Sequence, residues 1–156
     1  MRNKNFLYLS KDQVLTIHSN RIKEYGGDPG VRDKDLIDSI LANVQQTFDG
    51  KLLLNTVEEI AGAYLYYFVC DHPFIDGNKR VGAFAALMFL AVNEYPEEKL
   101  LSIQDDDLVK LTLDVARGEI VREECIDRLK KLLDPCTTLY IFKQEELDNN
   151  KSGDFE

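Results

Sequence analysis

Nine consecutive residues, His72-Pro73-Phe74-Ile75-Asp76-Gly77-Asn78-Lys79-Arg80, gather an imidazole, a carboxylate, an amide and two cations around one glycine. His72 precedes Pro73, which biases it toward extended backbone. An imidazole there can face a cleft and act as a general base near neutral pH. Phe74 is expected to turn into the core as an anchor. Asp76 is a hard oxygen ligand of the kind Mg²⁺ takes beside nucleotide phosphates. Gly77 permits positive φ or close approach of backbone to an anion. Asn78 can hydrogen-bond a phosphate oxygen or a metal-bound water. Lys79 and Arg80 supply charge to a polyphosphate, Arg80 with a bidentate fork. Base, metal ligand, anion nest and cations are the parts that phosphoryl-transfer chemistry needs. Each has a plainer reading alone: His beside Pro as a loop residue, Asp-Gly as a turn, Asn-Lys-Arg as a solvated helix cap. Their joint occurrence is what singles the stretch out.

The elements around the stretch must position it. An apolar run, Val81 to Val92, follows at once. The nine residues therefore read as a loop feeding a helix N-terminus, where free backbone N–H groups bind anions. That helix, Asn78 to about Asn93, is apolar nearly all round and is expected at the buried centre of the domain. Before the loop, Thr56-Val57-Glu58-Glu59 is a capping box opening a helix that runs to about Cys70. Ser10-Lys11-Asp12-Gln13 opens the first helix in the same way, with Val14, Leu15, Ile17, His18, Ile22 and Tyr25 as its apolar stripe. His18 reads as a satisfied, buried histidine with only a minor claim on the site. Gly26-Gly27-Asp28-Pro29-Gly30 ends that helix as a loop, and Asp33 caps a short second one.

Gln45 to Asn55 breaks the helical pattern, with Asp49-Gly50 as a turn. Leu52-Leu53-Leu54 reads as a flap or short extended segment near the site. After Tyr95-Pro96, Ser102-Ile103-Gln104-Asp105 starts another helix, with Asp105, Asp106 and Asp107 at its positive end. Gly118 terminates it. A last core helix spans about Val121 to Leu133. The sum is an all-α single domain of about six helices over residues 1–135. Residues 136–156 form a C-terminal extension expected to be partly disordered.

Composition bounds the function. The chain has 156 residues, 44% of them apolar and 30% charged, which suits one soluble globular domain. No apolar run reaches membrane-spanning length, and Met1 to Asn5 lead into no apolar signal segment, so a cytoplasmic protein is expected. The formal charge of -9 argues against direct nucleic-acid binding. Phosphate binding by such a chain requires locally focused cations, and Lys79 and Arg80 are the candidates. Cys70, Cys125 and Cys136 form no Cys-x-x-Cys pair and read as buried thiols in a reducing compartment. Two histidines exclude a multi-His metal site.

His72-x-Phe74-x-Asp76-x-Asn78-Lys79-Arg80 resembles the signature of the Fic/Doc superfamily, and specifically its Doc (death-on-curing) branch. Ile17-His18, Tyr25-Gly26-Gly27-x-Pro29-Gly30 and Gln45-Gln46 are similar to the N-terminal half of that branch. Phe89-Leu90 and Gly118-Glu119-Ile120 are similar to its C-terminal half, so the resemblance spans roughly residues 6 to 134. AMP-transferring Fic proteins carry His-Pro-Phe-x-Asp/Glu-Gly-Asn-Gly-Arg-x-x-Arg. Here Lys79 replaces the second Gly, and Ala83 stands where the second Arg would be. The Doc toxin shares Lys at that step and is a protein kinase: it moves the γ-phosphate of ATP to a Thr of elongation factor Tu and halts translation.

The resemblance thus implies a toxin kinase using ATP and Mg²⁺. His72 would activate the target hydroxyl, Asp76 would hold the metal, and Gly77, Asn78, Lys79 and Arg80 would cradle the triphosphate. It also implies a small Phd-like antitoxin whose helix docks in a groove beside the site. Pro73 and Gly77 match the AMP-transferring pattern rather than the founding Doc toxin, which has Ile and Ala there. AMP transfer to a protein hydroxyl therefore stays open, as does a catalytically silent antitoxin-binding module. Ser152-Gly153-Asp154-Phe155-Glu156 matches only part of the inhibitory motif of some Fic proteins, and no built-in inhibitor is expected.

Overall fold

The computed structural model describes residues 5–134, which form seven helices and one hairpin. Helix α1 (Lys11–Tyr25) starts from a complete capping box: the Ser10 hydroxyl accepts from Gln13 N–H, and the Gln13 side chain accepts from Ser10 N–H. Gly26 ends it at φ 81. Helix α2 (Lys34–Asn43) is capped by Asp33, whose carboxylate accepts from Asp35 and Leu36 N–H. Strands β1 (Thr47–Phe48) and β2 (Lys51–Leu52) pair antiparallel. Asp49 and Gly50, at φ 53 and 74, make the tight turn between them. Of the expected segment Leu52-Leu53-Leu54 only Leu52 is in a strand, and Leu54 is buried, while Phe48 of the hairpin is 76% exposed.

Helix α3 (Val57–Asp71) forms half of its expected box. Thr56 accepts from Glu59 N–H, but the Glu59 carboxylate accepts from Asn55 N–H instead of closing the box on Thr56. Helix α4 (Asn78–Val92) follows the nine-residue loop, then α5 (Glu97–Leu101), α6 (Asp105–Ala116) and α7 (Arg122–Leu133). The all-α fold holds, with α5 as an unforeseen seventh helix. Ser102 does not start α6 but ends α5, and its hydroxyl donates back to Lys99 O.

The centre of the core is α3, not α4. Ile60 through Leu65, Phe68 and Val69 of α3 are all buried, and α4, α6 and α7 pack around them. Gly62 lets α7 approach: a Cβ there would stand 2.9 Å from Ile126 Cα. Helix α4 is less enclosed than its composition suggests. Phe84, Met88 and Val92 are each 37% exposed, and Phe84 lines a groove between α4 and α6. Tyr25, assigned to the apolar stripe of α1, is 55% exposed for its part.

Cys125 is buried, which pushes its thiol up to about 12, but Cys70 is exposed at the end of α3, contrary to expectation. No helix among the described residues is long and apolar enough to cross a membrane. Cys136, the extension 136–156 and its Ser152 to Glu156 segment lie outside the described residues.

Candidate functional site

His72 is the C-cap of α3 and sits at φ 52, ψ 58, in the left-handed region. This corrects the extended backbone expected before Pro73. Tertiary hydrogen bonds override the local bias. The ring turns back on its own helix, with Nδ1 2.9 Å from Cys70 O. A carbonyl only accepts, so Nδ1 carries a proton, and in the neutral ring the lone pair is then on Nε2. Nε2 has no hydrogen-bond partner among the described residues, and His72 is exposed. The ring thus presents Nε2 outward. Beside it, burial pushes the Asp71 carboxyl above its usual range, an effect that His72 partly offsets.

The rest of the loop is held from two sides. Residues 30–33 pair with it like a short strand. Arg32 and Asp33 N–H donate to Pro73 O at 2.9 and 3.0 Å, and Ile75 N–H donates to Gly30 O at 3.1 Å. Val31 and Phe74 form the bridge between them. Phe74 is 1% exposed, the core anchor foreseen, and its ring stacks on His18 with centroids 3.8 Å apart. His18 is buried and satisfied, as expected, but its partner is the site itself. Its Nε2 donates to Asp76 O at 2.9 Å.

Asn78 departs from its sequence reading. Its Oδ1 accepts from Phe74 N–H at 3.0 Å and its Nδ2 donates to Phe74 O at 2.9 Å, with the residue buried. The amide closes the loop on itself, so what Asn78 presents at the helix start is its backbone N–H.

Gly77 is the N-cap of α4 at φ 82, and it offers no side-chain acceptor to the first turn. The amides of Asn78, Lys79 and Arg80 are thus left for an external anion, with the positive end of the helix dipole behind them. The Asp76 carboxylate stands beside this nest. Its Oδ1 accepts from Gly77 N–H at 2.8 Å, and its Oδ2 lies 3.4 Å from Asp28 N. No group of three or more His, Cys, Asp or Glu side chains gathers for a metal among the described residues. One carboxylate next to an anion nest fits an ion that arrives on phosphates, not one caged by protein.

The cations are arranged unequally. Lys79 is exposed. Arg80 donates through Nη1 to Gly26 O at 3.2 Å and lies over the Tyr25 ring at 5.0 Å. Arg21 adds a cation that the sequence did not flag, packed over Phe84 at 3.8 Å and paired with Glu24 at 3.0 Å. Lys79 and Arg80 also line a groove of about 480 Å³ between α4 and α6, with Phe84, Leu108, Val109 and Leu113 among its walls.

A sequence profile of the Fic/DOC family matches residues 8–90, a span that runs from before α1 through the loop and most of α4. The chain belongs to the Fic/Doc family. Among curated Fic/Doc relatives, the protein kinase Doc of Escherichia phage P1 is 29% identical over 125 residues, covering 80% of this chain and 94% of that protein. The toxin Doc of Mycolicibacterium smegmatis is 36% identical over 86 residues, covering 55% of this chain and 64% of the relative. The Fic/Doc loop of this chain thus carries an exposed imidazole, an exposed carboxylate and an uncapped helix N-terminus within a few residues. Sequence reading flagged neither Arg21 nor Arg32, and it missed the site contact of His18.

Proposed function

We propose that this Fic/Doc protein is a Doc-like toxin of a toxin–antitoxin module that transfers the γ-phosphate of ATP to a protein hydroxyl. A Thr of a translation factor such as elongation factor Tu is the proposed target, and loss of translation the proposed effect. The observation that carries the reading is the His72 ring, tied through Nδ1 with Nε2 unpartnered among the described residues, in the loop that leads into an uncapped helix N-terminus. The relative from phage P1 is named a protein kinase, which supports the same reading.

In this reading the triphosphate lies on the backbone N–H groups of Asn78, Lys79 and Arg80, with the two cations neutralising its charge. Asp76 would hold Mg²⁺, which supplies further neutralisation of the phosphate oxygens. His72 Nε2 removes the proton of the target hydroxyl as its oxygen forms a bond to the γ-phosphorus. The bond from that phosphorus to the β-γ bridging oxygen breaks, and ADP leaves. Lys79 favours γ- over α-attack, because a Lys replaces Gly at the step where AMP-transferring relatives need room.

Pro73 and Gly77, which match the AMP-transferring pattern, favour the second reading, adenylyl transfer. Incubation of the protein with bacterial lysate and ATP labelled at α or at γ separates the two. The expected result is protein-bound label from γ only, and label from α only would replace the kinase by an adenylyltransferase. His72→Ala should lower transfer by about 10²- to 10⁴-fold and abolish toxicity on expression. A variant as toxic as the parent would leave a non-catalytic binding effect in its place.

A further inference from the structure

Arg32 takes no part in the chemistry above, yet its guanidinium lies on the backbone of the proposed base. Its Nε donates to His72 O at 2.6 Å and its Nη2 donates to Asp71 O at 2.7 Å. With His72 Nδ1 on Cys70 O, three successive carbonyls at the C-terminal end of α3 are taken by just two side chains. These are the carbonyls that a helix end leaves without partners. A cation there also meets the negative end of the helix dipole.

We infer that Arg32 is a positioning residue that fixes the tautomer and aim of the His72 ring. The inference rests on the reading of His72 as the base. A residue with a Cβ enters the left-handed region only when its surroundings hold it there. His72 is there, and the residue after it, Pro73, pulls the other way. What opposes that pull is the Arg32 fork, which ties residues 71 and 72 with two short charge-assisted bonds. A planar guanidinium can meet two successive carbonyls in one geometry, which a lysine ammonium cannot reproduce.

The fork is itself held by backbone. Arg32 N–H and Asp33 N–H donate to Pro73 O whatever the side chain at 32, so removing the guanidinium leaves residues 30–33 paired with the loop. Without the fork, residue 72 relaxes toward extended backbone. Its ring then leaves Cys70 O, and Nε2 gains a share of the proton and loses its aim.

The chain has two histidines, and the structure puts them in opposite tautomers. His72 carries its proton on Nδ1, facing Cys70 O, and His18 carries its own on Nε2, facing Asp76 O. Long-range ¹H–¹⁵N spectra of the imidazole rings, at about pH 8 where imidazoles are ordinarily neutral, read both directly. The parent should show one ring of each kind, assigned with His72→Ala. In Arg32→Ala the His72 ring should become a mixture of tautomers while His18 stays unchanged. In the same variant, kcat for label transfer from ATP should fall by about 10- to 100-fold, with KM for ATP within about twofold. Arg32→Lys should recover only part of both, and it carries the comparison should Arg32→Ala fail to fold. A variant that lacks the fork yet keeps the single His72 tautomer, or keeps the parent kcat, overturns the inference. Absence of any transfer by the parent would sink the kinase and adenylyl readings instead, and the ring spectra would then decide the role of Arg32 alone.

Discussion

A Cβ built on Gly27 would come 2.5 Å from Asp76 Oδ2, and residue 27 holds φ 121, a conformation that side chains avoid. Gly27→Ala should therefore lower stability by about 1–3 kcal/mol in urea unfolding. Asp76→Ala removes the clashing oxygen but not the backbone strain. In a double-mutant cycle the two costs should then fall short of additive by about 0.5 kcal/mol or more. Full additivity would mean that the carboxylate does not stand against the glycine. Asn78→Ala strands Phe74 N–H and Phe74 O together in a buried site, at an expected cost of about 1–3 kcal/mol in the same assay. Identity at these positions was readable where the partner lies nearby in sequence. Phe74 as anchor and Gly77 at positive φ follow from neighbours alone. Gly27 and Arg32 were not readable as site residues, because their partners Asp76 and His72 lie across the fold and no local pattern encodes that pairing. The same gap hid the backbone of His72. Pro73 argues for extended chain, and the two Arg32 hydrogen bonds proposed to oppose it come from some 40 residues away.

Helix ends were the most legible elements, since capping is a contract among residues within one turn. Ser10, Asp33 and Gly118 all act where their spacing places them. Ser102 misled for a related reason: its hydroxyl is engaged by Lys99 O in the preceding turn, so the acids of α6 begin a helix with no side-chain cap. Helix-to-helix approach was not legible at all. Helix propensity alone makes Gly62 a mild weakness of α3, with alanine gaining up to about 1 kcal/mol there. The α7 backbone at 2.9 Å from its would-be Cβ reverses that sign. Gly62→Ala should be net destabilising by about 1–3 kcal/mol, measured as a lower urea midpoint. The α6–α7 contact makes a separate prediction in pH. The Arg128 hydrogen bond at 2.7 Å is the main cause holding the Asp114 carboxyl below its usual range. A depressed pKa means that the unfolded chain takes up the proton first. The stabilisation is thus fully present above about pH 4 and is lost as pH falls through the lower folded value. The Tm of the parent should exceed that of Asp114→Asn near neutrality, and the gap should close in acid. A gap that stays constant across that range would remove Asp114 as its source.

Across the whole molecule, a chain of formal charge -9 concentrates Arg21, Lys79 and Arg80 around one helix start. The α4–α6 groove is lined by two of those cations and by Asp105, together with apolar Phe84, Leu108 and Val109. The antitoxin helix proposed for a Doc-like toxin would, if amphipathic, set acidic residues against Lys79 and Arg80 and an apolar face on Phe84, Leu108 and Val109. A helix seated there would also engage the cations proposed to hold the triphosphate, which gives restraint of toxicity a direct physical route. Val109 tests this without touching the chemistry. It is 56% exposed, so Val109→Asp should leave folding and label transfer at parental levels. Against a bound helix the same change removes apolar contact and buries a charge, a loss of about 2 kcal/mol, or roughly 30-fold in affinity. Titrating label transfer with the antitoxin that silences the parent should therefore need about 30 times more antitoxin for Val109→Asp. Equal silencing of the two proteins would move the antitoxin off this groove and leave the cations of α4 accessible in the complex.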